Sequence, residues 1–318
     1  MKKTKLLIFS TLLFGFCFTG MALEKFVVAL DWYINPDHGP MLVAKSLGYY
    51  KKHGLDVKFI SPTETAEPSQ LVAAGKADVA ITYEPMLIAQ IAGGMPLKGI
   101  GVLIDHVLCC VATLKSSGIS KMADFKGKKV GYSNDGTGNT ILKAMLKYNG
   151  VTYNEILPIN LQMNLSQALL SKRVDAVYGM MKNVEPIQLE QMGVKTNLFY
   201  PEDNGVPTYS ELMFAAKDLK KDDEKIKKFL NGVRDGVVYL KKYPQKSWEL
   251  VAKDFKESLA MTPDMAKTNH EIWNATIKYF ADHPEKIDMK RFYRLAKFLY
   301  KHGTINKTAY DKILKIKD

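Results

Sequence analysis

The chain has 318 residues, with 45 Lys and Arg against 33 Asp and Glu and a formal net charge of +12. From Lys217 to Lys317 the lysines alternate with Asp and Glu, without arginine clusters or interleaved aromatics, which is the pattern of a solvated helical surface and not of a nucleic-acid groove. Only three cysteines are present, and the adjacent pair Cys109 and Cys110 would point to opposite faces of an extended segment, so no disulfide framework is expected.

The amino terminus reads as an address label. Lys2, Lys3 and Lys5 precede an apolar run from Leu6 to Phe18, and Gly20-Met21-Ala22 offers small residues where a signal peptidase reads. The expectation is a cleaved signal peptide over 1–22 and a mature protein released to the periplasm. Bulky Phe16 ahead of Cys17 argues against lipid attachment. No later stretch approaches the roughly 18 to 20 apolar residues that a membrane span needs.

From Phe26 the pattern predicts strand, helix, strand, helix, strand: Phe26 to Leu30, Pro40 to Tyr50, Leu55 to Ile60, Pro68 to Ala74 and Ala77 to Thr82. Pro40 and Pro68 suit a first helical turn, and Gly54 and Gly75 suit helix ends. Such alternation implies a mostly parallel α/β sheet. The same grammar restarts at Lys129 and runs through the predicted helix Asn183 to Met192. Extended runs at 108–114 and 210–216 lie between the two regions, and everything after Lys220 is expected to be helical, including 226–239, 244–255 and 289–302. The simplest arrangement is a discontinuous lobe of 23–110 plus 212–318 and an inserted lobe of 111–211, joined by two strands. Ligands of such folds lie in the cleft at the carboxyl ends of the strands.

Four loops carry candidate binding groups. After the first strand comes Asp31-Trp32-Tyr33-Ile34-Asn35-Pro36-Asp37-His38. Trp32 and Tyr33 could sandwich a flat ring while Asn35 and His38 reach its polar edge, although Trp32 also fits a core anchor and His38 a cap. Tyr83 and Glu84 follow the strand ending at Thr82; Tyr83 suits ligand contact, and Glu84 equally suits the start of a helix. The turn from Ser133 to Thr140 offers Thr137, Asn139, Thr140 and backbone N–H groups as a cradle for an anion or a carbonyl, or as ordinary capping chemistry. Asn183 and Glu185 follow the strand at 175–179, where a carboxylate could accept two hydrogen bonds from an amidine-like edge or simply cap a helix. No metal-binding histidine spacing, serine elbow, zinc-type cysteine pair or nucleotide fingerprint is present. The chain is therefore expected to be no enzyme and to use no cofactor or metal.

Leu30-Asp31-Trp32, His38-Gly39-Pro40, Ala44 to Tyr50, Gly75-Lys76-Ala77-Asp78 and Phe125 to Tyr132 resemble the ABC-transporter periplasmic binding proteins for sulfonates, nitrate-like anions and thiamine pyrimidines. With Asn183-x-Glu185, they look most like the formylaminopyrimidine-binding branch. The resemblance implies a type II periplasmic-binding-protein fold, a monomer that hands a small heterocycle to an inner-membrane permease, ring contacts from Trp32, Tyr83 and Tyr209, and Glu185 as partner of an aminopyrimidine. A sulfonate or other small anion is the alternative ligand. Related thiamine-pyrimidine synthases place a cofactor-bearing lysine and a histidine where this chain has Thr82 and Met86, and a cysteine-rich motif near Tyr209 to Ala215, where it has none. Without the amine no Schiff base forms.

Overall fold

The computed structural model describes residues 22–63, 67–133, 137, 139–162, 164–217, 224–259 and 262–316. The expected signal peptide, apart from Ala22, lies outside them, as do 134–136 and 138 of the glycine-containing turn.

The chain begins with β1 (Glu24–Ala29), α1 (Gly39–Ser46), α2 (Tyr49–Lys52), β2 (Leu55–Ile60), α3 (Glu67–Ala73), β3 (Val79–Thr82), α4 (Glu84–Ala92) and β4 (Leu97–Ile104). The single helix expected from Pro40 to Tyr50 is two, because Gly48 adopts φ +71, a left-handed conformation that ends one helix and starts the next. The inserted segment supplies β5 (Cys109–Leu114), β6 (Lys129–Tyr132), α5 (Thr140–Tyr148), β7 (Leu157–Asn160), α6 (Leu165–Leu170), β8 (Ala176–Met181), α7 (Glu185–Gln191) and β9 (Thr196–Phe199). The chain returns through β10 (Leu212–Lys217) and closes with α8 (Glu224–Lys242), α9 (Pro244–Asp254), α10 (Pro263–Thr276), α11 (Met289–Lys301) and α12 (Lys307–Ile313).

Two five-stranded sheets result, ordered β2-β1-β3-β10-β4 and β7-β6-β8-β5-β9. They repeat one plan. Three parallel strands come first, then an antiparallel strand that has just crossed from the other lobe, then an antiparallel edge. The central strand β3 is buried on both faces, which is why it reads as the apolar run Val79-Ala80-Ile81 with no polar alternation.

The first sheet is covered by helices from both ends of the chain. α8 packs on α1, and the approach is close because Gly236 has no side chain: a Cβ there would stand 2.1 Å from the carbonyl oxygen of Pro40. Trp273 of α10, Leu240 of α8 and Phe280 close around Gly39 in the same way. This packing fixes the start of α1 and, with it, the loop after β1. On the other face α11 and α12 pack against α4. A second cluster fills the inserted lobe, with Cys110, Leu165, Leu169, Val177 and Met180 at its centre.

The two crossings are short and tied to each other. Glu211 on the return crossing accepts hydrogen bonds from the amides of Leu108 and Cys109 on the outgoing one, at 2.6 and 2.7 Å. Arg291 of α11 clasps both from outside, donating to Asp105 and to the Ser210 hydroxyl. Among the described residues no helix is long and apolar enough to cross a membrane.

Candidate functional site

A cavity of about 500 Å³ lies between the lobes, at the carboxyl ends of β1, β3, β6 and β8. The loop after β1 forms one wall. Asn35 caps the short turn Pro36–His38 by accepting the Asp37 amide at 2.8 Å, which sets the direction of the whole loop. Trp32 and Tyr33 meet edge to face with ring centroids 6.1 Å apart; both line the cavity, and Tyr33, 56 % exposed, stands at its rim.

His38 is fully buried and lies behind that wall. The Asn35 amide donates to its Nδ1, so the proton sits on Nε2, which donates to Asp31 at 3.0 Å. The Tyr83 hydroxyl donates to the other Asp31 oxygen at 2.9 Å. His38 is thus an orienting residue, and Asp31 and Tyr83 reach the cavity as a linked pair.

Opposite, Tyr178, Gly179 and Met181 of β8 line the cavity together, while Val177 and Met180 belong to the core of the inserted lobe. Strict alternation would forbid this, since 178 and 181 differ by an odd number. A bulge resolves it: Cys110 pairs with Met180 and Val111 with Tyr178, leaving Gly179 as the extra residue at φ +107. After β8, Glu185 opens α7 and accepts the Met181 amide at 2.8 Å. Burial pushes its carboxyl up to about 7, and the negative charge of Asp37 adds to the shift.

Two further carboxyl groups complete the wall. Asp37 is raised to about 6 by burial, against the Asn183 and Thr276 hydrogen bonds. Glu211 is raised to about 7, again by burial, against the Cys109 and Leu108 amides. Tyr209, buried at 2 %, lines the cavity beside it, with Met86, Cys109, Leu165 and Met265 supplying apolar surface. The lining therefore carries Asp31, Asp37, Glu185 and Glu211 and, among the described residues, no Lys, Arg or His.

The sequence-derived candidates divide cleanly. Trp32, Tyr33, Asn35, Tyr83, Thr137, Glu185 and Tyr209 stand on the cavity wall. His38, Glu84, Asn139, Thr140 and Asn183 do not. Glu84 turns toward the return crossing, where one carboxyl oxygen accepts the Ser210 amide and the other has no partner among the described residues. Burial lifts it to about 7 despite that bond and nearby Arg291. Asn139 donates to the Tyr153 hydroxyl, and Thr140 donates to the Thr137 carbonyl and meets Thr304, so the start of α5 is occupied by its own surroundings. Asn183 crosses the cleft: its amide donates to Asp37 at 2.6 Å and to Thr276 at 2.7 Å. Asp37, Tyr178, Gln188, Glu211 and Asn269 line the cavity without having been singled out. Position was the available signal for Tyr178, at the carboxyl end of β8; nothing local marks Glu211 or Asn269.

Thr82 ends β3 with its hydroxyl buried and unpartnered, and Met86 lines the cavity. No amine stands at either place, and no basic group waits on the described wall for a phosphate, so the residues do not fit covalent attachment of pyridoxal phosphate.

The NMT1/THI5-like family model matches residues 35–247. A Haemophilus influenzae protein named as a thiamine biosynthesis protein is 37% identical over 286 residues, 90% of each chain. The formylaminopyrimidine-binding protein of Halalkalibacterium halodurans is 29% identical over 239 residues, 74% of this chain and 72% of that one. The 4-amino-5-hydroxymethyl-2-methylpyrimidine phosphate synthase of Aspergillus parasiticus is 27% identical over 277 residues, 82% and 78%. Among solved structures, the periplasmic aliphatic sulphonate binding protein SsuA of Escherichia coli superposes with a TM-score of 0.69 at 16% identity, covering 92% of each chain. With two α/β sheets flanking one cleft and this matching stretch of sequence, the chain has the periplasmic-binding-protein fold and belongs to the NMT1/THI5-like family.

Proposed function

We propose that this protein is the substrate-binding component of an ABC importer, a non-catalytic periplasmic carrier for a thiamine-type aminopyrimidine that it passes to an inner-membrane permease. The observation that carries this reading is the makeup of the cleft: aromatic side chains on both lobes, carboxyl groups among them, and no cation on the described wall. A flat heterocycle fits between Trp32 on one lobe and Tyr178 on the other, and a carboxylate accepts hydrogen bonds from an exocyclic amino group. Glu185 is the carboxylate assigned that role.

A sulfonate or nitrate ligand would need donors and positive charge, and here four acidic side chains surround the space instead. Thr82 and Met86 argue likewise against the synthase chemistry that some relatives' names carry. The relatives named for thiamine biosynthesis and formylaminopyrimidine binding support the choice of heterocycle.

The test is a thermal-shift screen of hydroxymethyl- and formylaminomethyl-pyrimidines beside small sulfonates, followed by calorimetry, since a ligand that binds only the folded state raises its melting temperature. Glu185→Ala is expected to weaken pyrimidine binding by about 1–3 kcal/mol. A melting temperature raised by sulfonates alone would refute the reading, and unchanged affinity in the variant would remove Glu185 from it.

A further inference from the structure

Reading a pyrimidine edge uses one carboxylate; of the other three on the wall Asp31 is tied to His38 and Tyr83, which leaves Glu211 and Asp37. Glu211 is only 2 % exposed, and both amides it accepts fall on Oε2. Asp37, 5 % exposed, places both of its bonds on Oδ1. No lysine, arginine or histidine lines the described wall beside these two carboxyl groups, and the charge of Lys182 acts on Glu211 only from outside that lining.

Size points the same way. Sites of roughly 300–1,000 Å³ enclose ligands of drug size. The cavity, at about 500 Å³, is only partly filled by one substituted six-membered ring. Tyr178 and Tyr209 line the same space, and aromatic faces attract cations as well as stacking on rings.

We infer that the site takes an aminopyrimidine joined to a second, permanently cationic group, with Glu185 holding the amino edge and Glu211 and Asp37 facing the positive charge. This rests on the pyrimidine reading above and extends it from the precursor fragment to a two-part ligand. A fixed cation would also favour the ionised forms of carboxyl groups that burial otherwise holds toward neutrality.

Calorimetry on the whole mature protein at neutral pH tests the inference with three probes: thiamine, which carries both parts; its neutral hydroxymethylpyrimidine fragment; and oxythiamine, which keeps the cation and replaces the amino group. Thiamine is expected to bind at least about tenfold tighter than the fragment, a difference of about 1.4 kcal/mol. Oxythiamine is expected to bind more weakly than thiamine. In Glu211→Gln the preference for thiamine over the fragment should fall by about tenfold, the scale of one charge-assisted contact. Because Glu211 also ties the crossings, Asp37→Asn, which keeps an oxygen for Asn183, is the second variant. A fragment that binds as tightly as thiamine overturns the inference and leaves the pyrimidine reading intact. Preference unchanged in both variants overturns the roles of Glu211 and Asp37. Failure of all three probes to bind overturns the pyrimidine reading itself.

Discussion

Glu84 sits one residue past Tyr83 in the chain and faces another way. Its neighbour lines the cavity, whereas Glu84 accepts the Ser210 amide and keeps a second oxygen buried without a partner among the described residues. A carboxyl held at about 7 in the folded chain, above its ordinary 4.5, contributes stability that is complete below the ordinary value and is lost as pH rises through the folded one. Stability of the ligand-free protein should therefore decline between about pH 4.5 and 7. Glu84→Gln retains an acceptor for Ser210 and should flatten that slope in denaturant melts taken across the range; an identical slope in the variant would show that other groups set it. The same pair of residues shows what was legible in the sequence. Loops at strand ends identified the neighbourhood, and Trp32, Tyr33, Asn35, Tyr83, Thr137, Glu185 and Tyr209 do stand on the wall. Which way a polar side chain turns depends on long-range partners, as with His38 toward Asp31, so His38, Glu84 and Asn183 could not be separated from their neighbours by position alone.

Gly179 shows how one backbone irregularity shapes a binding wall. The bulge in β8 lets Tyr178 and Met181 share the cavity, and φ +107 is a conformation that side-chain-bearing residues adopt at a cost. Gly179→Ala should destabilise the protein by about 1–3 kcal/mol, measured by denaturant unfolding. If the strand relieves the strain by straightening, Met181 turns from the cavity and pyrimidine affinity falls as well; wild-type stability and affinity together would count against the bulge. Element by element, the alternation of apolar runs with amphipathic stretches sufficed for the parallel part of each sheet. It did not reveal β4 or β9. Of α4 only the start at Glu84 was legible: Glu84 to Ala92 is almost uniformly apolar, with five residues from Glu84 to Ile88 buried in succession, so no polar face marks its extent. The edge strand β9 is only Thr196–Phe199, half-buried along its length, too short for period two to emerge.

The whole molecule is held closed by side chains reaching across the cleft. Asn183 bonds Asp37 and Thr276, Gln191 bonds Glu271, and Lys182 lies over the Tyr279 ring at 5.4 Å. A clamp of this kind must open to admit its ligand, and the apparent affinity is scaled by the fraction of molecules in the competent form. Removing the Asn183 bonds with Asn183→Ala should cost closure about 0.5–1.5 kcal/mol for each net hydrogen bond. The variant should show a larger radius of gyration without ligand in solution scattering, and weaker binding; scattering and affinity equal to wild type would mean that the latch lies elsewhere. At this scale the two-sheet plan was legible, because the strand and helix grammar stops and restarts between the sheets. The cross-lobe bonds stayed hidden, since Asn183 and Thr276 are far apart in sequence and meet only once the lobes close. The crossing itself carries one more implication. Glu211 accepts two successive amides, Leu108 and Cys109, at the point where β5 begins. That grip sets the phase of the strand: Cys109 looks into the cavity and Cys110 into the core of the inserted lobe. A slip by one residue would put one cysteine in the place of the other, silent at that single position, yet would turn every later residue of β5 to the opposite face. The twin cysteines thus leave the parity of the strand unmarked, and a single carboxylate keeps the count.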